Sequence, residues 1–169
     1  MSPVQTILRG TSLLLAILML AHNAEPSDEK FIRSSFANAA RFGGSLNLGA
    51  WATAYIEIDA EEAVDAIENL YFRSARRDAD ELQAVITALS VHGTDGHTYL
   101  RDRLVQSYAT LLDHYPEMVS FVAKDLTAWR RWGLVDRLRE ILEARGEDDP
   151  LSAFAIKMYL AQAGASQTP

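Results

Sequence analysis

One pattern constrains the fold more than any other: residues 61–164 carry a helix–turn–helix unit three times. The copies end at Gly93, Gly133 and Gly164, which gives a period of about 31–40 residues. A helix pair of this size cannot bury its apolar side alone, so neighbouring pairs must stack. The repeat therefore predicts an all-α protein, a short α-solenoid of about four antiparallel helix pairs, without a β-sheet.

Local signals predict eight helices between residues 27 and 164. Asp59 and Asp78 each precede a glutamate at the third helical position, which is the capping-box pattern. Asp149 stands before a proline, a residue favoured in the first helical turn. Glycines, which adopt the left-handed conformation without strain, are expected to end helices. They are Gly43 with Gly44, then Gly93, Gly146 and Gly164.

Apolar spacing also predicts which helix faces are buried. Over residues 27–42, the pattern recurs on two faces, one with Phe31, Ser35, Ala39 and Phe42 and the other with Ile32, Phe36 and Ala40. Small residues from Gly49 to Ala54 predict close approach of a neighbouring helix. The last helix is expected to bury a stripe made of Phe154, Ala155, Met158 and Tyr159.

Composition narrows the classes of function. The 169-residue chain has a formal net charge of −7, and an acidic protein repels nucleic-acid phosphates. Cysteine is absent, which excludes disulfides, thiolate metal sites and a cysteine nucleophile. Glycine patterns for nucleotide binding are missing as well. We therefore expect no nucleic-acid partner, no cofactor and no enzyme activity.

The N-terminus has the layout of a secretory signal. Arg9 precedes an apolar run over 11–21, which is followed by a polar and acidic segment. The sequence predicts a signal peptide or N-terminal anchor over 1–24, a helical-repeat domain over 25–164 and a disordered tail over 165–169. The protein is then exported, periplasmic or secreted. Two alternatives stay open: an uncleaved inner-membrane anchor, with membrane proximity through 4–21, and a buried N-terminal helix.

The helix-pair pattern resembles HEAT-like α-solenoids. The stretch over 100–142 is similar to a segment of uncharacterised exported or membrane-linked bacterial helical-repeat proteins, in which a helix ending in DL..W..W precedes one opening with a D-R-L-like group. The resemblance implies a fold and names no activity. It rests on Asp125, Leu126, Trp129, Trp132, Asp136, Arg137 and Leu138.

Two clusters are candidate sites. Trp129, Arg130, Arg131 and Trp132 combine residue types favoured at protein-binding hot spots, and the spacing puts both indoles near one helix face. The alternative is that both indoles pack between repeats.

His92, Asp95 and His97 form the most metal-like group, because imidazole and carboxylate in one turn are ligands for zinc. The alternative is a simple turn with solvated histidines.

These observations favour a non-enzymatic protein-interaction or scaffold module of the cell envelope, with an unidentified protein partner. A second hypothesis is a helical domain that binds a small or lipidic ligand between its helices, and a third is a metal-dependent hydrolase. A homodimer is an open alternative, because exposed ends of short solenoids can pair. A large apolar pocket would favour ligand binding, whereas exposed apolar surface would favour a protein partner.

Overall fold

The computed structural model of the chain describes residues 3–42, 47–74, 76–146 and 148–166, with side chains from residue 13 onward. These residues are mostly helical and contain no strand, so the predicted all-α class is confirmed. Contacts divide the chain into two compact units, Met1–His92 and Gly93–Pro169. The described ranges hold eight α-helices: α1 Pro3–His22, α2 Pro26–Phe42, α3 Leu48–Ile67, α4 Ala79–Thr94, α5 Arg101–His114, α6 Val119–Trp129, α7 Val135–Arg145 and α8 Pro150–Ser166.

Short tighter or wider turns adjoin three of these helices. A π-helical turn over Glu68–Phe72 continues α3, and 3₁₀ turns over Thr98–Leu100 and Pro116–Met118 lead into α5 and α6. In the described ranges, no helix combines the length and the apolarity needed to cross a bilayer.

Two of the predicted helix starts are capped as expected. The backbone N–H of Glu81 donates to Asp78 Oδ1 at 2.9 Å, and that of Ser152 donates to Asp149 Oδ1 at 3.0 Å. The hydrogen bonds from Ser152 lower the pKa of Asp149. Each aspartate satisfies an N–H that the helix leaves without an internal acceptor.

The third predicted start, at Asp59, is a kink inside α3. Asp59 and Ala60 leave the helical conformation, and Ala60 has a φ of 21°. The Asp59 carboxylate accepts a hydrogen bond from Arg33 on α2. The pattern therefore located the break correctly, while the side chain links two helices.

The prediction that glycines end helices is confirmed in part. Gly146 follows α7 and donates its N–H to the Leu142 carbonyl at 2.8 Å. Helix α8 passes through Gly164 to Ser166, because Gly164 does not take the left-handed backbone that would end the helix. Gly43 and Gly44 lie outside the described residues, as do tail residues 167–169.

In the first unit, α1 and α2 pack on α3. Of the two faces of α2, the one with Ile32, Phe36 and Ala40 is buried, and Phe31 and Phe42 on the other face are exposed. The small residues of α3 permit the predicted close approach. A Cβ at Gly49 would lie 3.5 Å from the Ala84 carbonyl oxygen on α4.

A polar cluster surrounds the π-helical turn of the first unit. Tyr71 is wholly buried, and its hydroxyl has no hydrogen-bond partner among the described residues. The Arg77 guanidinium lies 4.5 Å from the centre of the Tyr71 ring and donates to the carbonyls of Leu70 and Ala40. Burial raises the pKa of Tyr71 to about 12, against the opposing effect of Arg77.

In the second unit, α8 packs against both α6 and α7. Each helix contributes wholly or almost wholly buried side chains to this core, because its apolar residues recur at helical spacing. They include Leu104, Leu111, Val122, Leu126, Leu138, Ile156 and Tyr159.

Candidate functional site

Trp129, the first residue of the predicted partner-binding patch, lies in the core of the second unit. Its side chain is 3% exposed, stacks on Tyr108 at 5.8 Å between ring centres, and donates from Nε1 to Thr94 Oγ1 at 3.1 Å. The indole also lies against Gly93, where a Cβ would fall 2.6 Å from Trp129 Cη2. Gly93 was expected to end α4, yet the helix continues to Thr94. The glycine instead provides room for the indole.

Arg130 ends α6 in the left-handed conformation, with φ 55° and ψ 47°. Its N–H donates to the Thr127 carbonyl at 3.2 Å, and the N–H of Arg131 donates to the Leu126 carbonyl at 2.9 Å. This pair of bonds is a Schellman motif, whose left-handed position is usually a glycine. Arg130 is therefore held in a strained backbone conformation, with an exposed side chain.

The two remaining patch residues have partners within the second unit. Arg131 Nε donates to Asp102 Oδ1 at 2.8 Å on the surface. Trp132 is half-buried, and its ring centre is 5.3 Å from that of Tyr159. The four residues are thus neighbours in the chain but not one exposed surface. Their role in partner binding stays a prediction, for which Arg130 and part of Trp132 offer the accessible area.

The residues that carry the resemblance to helical-repeat proteins make packing contacts here. Asp125 is buried and accepts a hydrogen bond from the Tyr108 hydroxyl at 2.6 Å. Burial first, and then Asp125, raise the pKa of Tyr108 well above its ordinary value. Arg137 donates to the Leu112 carbonyl at 3.2 Å and pairs with Asp113 at 3.0 Å. The motif therefore fastens α5 to α6 and α7.

The residues of the candidate metal cluster have different surroundings. His92 is buried in the first unit, with Nε2 at 3.0 Å from the Thr53 carbonyl oxygen and Nδ1 at 3.9 Å from a Glu57 carboxylate oxygen. The ring thus links α4 to α3. Asp95 is exposed in the turn after α4, and His97 is half-buried. Metal binding at these residues stays a prediction.

An open groove lies between α6 and α8 in the second unit, with a volume of about 440 Å³. Its lining is predominantly apolar and contains neither carboxylate nor imidazole. Lys124 is its one charged side chain, and Leu151 and Phe154 are 73% and 64% exposed. The lining also includes Phe121, Met158 and Gln162.

Sequence periodicity missed this groove because α8 is apolar on both sides. Phe154, Ala155, Met158 and Tyr159 were expected to form one buried stripe. Tyr159 is buried as expected, whereas Phe154 and Met158 face solvent. Ala153 and Ile156 complete the buried side in their place. A helix with two apolar sides gives no periodic signal for which side meets the core.

Comparison of the chain with models of protein families, with curated proteins and with solved structures found no match.

Proposed function

We propose that this protein is a non-enzymatic protein-interaction module of the cell envelope, and that its groove between α6 and α8 receives a helix of the partner. The exposure of Leu151 and Phe154 in one groove carries the proposal. A soluble protein leaves few contiguous large apolar side chains in water, and such patches mark interaction sites. The basic, apolar and then polar order of the N-terminus supports the cell-envelope location.

The repeat pattern supports the same function. Helices α5 with α6, and α7 with α8, coincide with the second and third copies of the sequence repeat. We infer a HEAT-like arrangement of these pairs, in which each pair buries its apolar side against a neighbouring pair. On the outer side of α8, no helix among the described residues covers Leu151 and Phe154.

The shape of the groove favours a helix as its occupant. From Leu151 to Gln162 the lining of α8 covers three turns, or about 17 Å. Helix-in-groove recognition places apolar anchors at positions i, i+3 or i+4, and i+7, which span two turns. Lys124 on α6 would then lie beside the partner helix, so we expect a carboxylate on that helix next to its anchors.

A small or lipidic ligand is the second candidate for the same groove. Its volume of about 440 Å³ falls in the range of ligand sites, roughly 300–1,000 Å³. Ligand sites, however, enclose most of the ligand surface, and this groove is open to solvent between two helices. The absence of carboxylate and imidazole from its lining supports binding rather than hydrolysis at this surface.

Site-specific photo-crosslinking tests the groove as a protein-binding surface. A benzophenone amino acid would replace Phe154 in the groove, and in a matched chain it would replace Tyr99, which is similarly exposed and lies outside the groove. We expect crosslinking in cells to one protein from position 154 only, with the attached peptide mapped by mass spectrometry to an amphipathic helix.

A competing substitution completes the test. In a second experiment the benzophenone amino acid replaces Met158. Adding Phe154→Asp to that chain should reduce the crosslinked product from position 158 at least roughly tenfold, because a charge would enter the apolar contact. Tyr99→Asp should leave the adduct unchanged. Identical adducts from positions 154 and 99 would contradict the proposal. Adducts to lipid alone would favour the ligand hypothesis, and adducts to a second copy would establish a homodimer instead.

A further inference from the structure

Helix α1 is part of the core of the first unit. Ile17 is 2% exposed, and it packs with Ala21 against Ile32 of α2 and against Ala50 and Ala54 of α3. Cleavage after Ala24, as a signal peptidase would do it, removes Ile17 and Ala21 together. The apolar residues that they cover would then face water. The packing therefore favours retention of the helix.

Over residues 13–21, the opposite side of α1 is apolar and exposed. Leu15 and Met19 are each 60% exposed, and Leu18 is exposed as well. These side chains stand on successive turns and form one strip rather than scattered single residues. Single exposed apolar residues are common, whereas a contiguous strip of large ones indicates a binding surface.

The side-chain chemistry of the strip favours lipid over a protein as its binding partner. Residues 13–21 carry no polar side chain at all. A protein partner is normally positioned by about one hydrogen bond per 100–200 Å² of interface, and this strip offers no side-chain donor or acceptor. The acyl region of a lipid layer requires only apolar surface. His22 follows the strip and can remain at the level of the headgroups.

The packing of α1 also fixes its orientation toward lipid. Its inner side contacts α3, which carries the exposed carboxylates Glu57, Glu61 and Glu62. Those charges must remain in water, so only the outer side of α1 can enter the apolar layer. A helix with one side on protein and the other in lipid lies in the plane of the membrane surface.

We propose that residues Pro3–His22 remain in the folded protein, and that the strip Leu15, Leu18 and Met19 binds the surface of a lipid bilayer. This inference is independent of the groove in the second unit. The N-terminal segment would then be a retained membrane-binding element of the fold, which is compatible with its proposed role in directing the chain to the cell envelope.

Vesicle flotation with the full chain tests the inference. Phosphatidylcholine vesicles are the probe, because an acidic protein is not drawn to them by net charge. We expect the full chain to float with the vesicles, and Leu15→Glu/Met19→Glu to lower the bound fraction at least roughly tenfold. Val91→Glu/Tyr99→Glu is the matched control, since both positions are exposed and lie outside α1 and the groove. It should float like the unmodified chain.

Three results would overturn the inference. The first is equal flotation of the α1 variant and the unmodified chain, and the second is no flotation of either. The third is an intact mass, for protein isolated from its cells, that lacks residues 1–21 or 1–24. Circular dichroism of both variants would show that each is folded. A dimer that dissociates with Leu15→Glu/Met19→Glu and ignores vesicles would assign the strip to a second copy instead.

Discussion

Replacing Gly93 by alanine should destabilise the protein, although alanine is the better helix former. Gly93 lies inside α4 with the indole of Trp129 directly against it. The added Cβ would fall 2.6 Å from Cη2 and 2.8 Å from Cε2 of that ring. Atoms this close must separate. The indole cannot yield freely, because Tyr108 stacks on it and Thr94 accepts its N–H.

The opposing effects can be compared in size. Alanine in a helix gains about 1 kcal/mol over glycine. Overpacking a buried site costs about 1–3 kcal/mol. Displacing the indole also weakens its hydrogen bond to Thr94, worth about 1 kcal/mol, and its stacking on Tyr108, worth about 1 kcal/mol. The steric cost therefore exceeds the gain, and we expect Gly93→Ala to lower the free energy of unfolding by about 2–4 kcal/mol.

Urea unfolding followed by circular dichroism measures this loss. With a slope of about 2 kcal/mol per molar urea, the midpoint should fall by about 1–2 M. Gly164→Ala is the matched control, because a Cβ there would have no atom within 4 Å. That change, also within a helix, should raise stability by about 0.5–1 kcal/mol. If both variants were stabilised alike, the contact between residue 93 and Trp129 would be refuted.

Two further predictions use the same measurement. Tyr108→Phe should lower the free energy of unfolding by about 1–3 kcal/mol, because it leaves the buried Asp125 carboxylate without the hydroxyl that donates to it. Tyr71→Phe removes a buried hydroxyl that has no hydrogen-bond partner among the described residues, so it should leave the free energy of unfolding unchanged or raise it by up to about 1 kcal/mol. Equal losses in both variants would contradict this difference. Arg130→Gly should raise the free energy of unfolding by about 1 kcal/mol, because glycine adopts the left-handed backbone at this position without strain. Arg130→Ala keeps that strain and should not raise it. An increase with alanine as large as with glycine would disprove the strain.

Local chemistry made part of this fold predictable. Asp78 and Asp149 cap helices through atoms a few residues away, so their sequence neighbourhood contains the whole interaction. The all-α class follows from the spacing of apolar residues in the same way. The solenoid arrangement remains a proposal, since it depends on contacts between distant segments.

Long-range packing accounts for what the sequence did not reveal. A glycine in the sequence can either end a helix or leave room for a ring, and the two cases look alike. At Gly93 the ring belongs to Trp129, which is distant in the chain, so the sequence around Gly93 does not reveal its role. The groove was hidden for a related reason. Phe154 and Ile156 are both apolar residues of one helix, and neighbouring helices determine which of them is covered.

Each unit contains tryptophan, so the fluorescence of each unit can be measured. Trp51 belongs to the first unit, half-buried beside the ring of Phe31, while Trp129 and Trp132 belong to the second. A chain that retains only Trp51 would report by its emission on the first unit, and one that retains only Trp129 would report on the second. The stability of the two halves can therefore be read separately from the intact polypeptide, without cutting it.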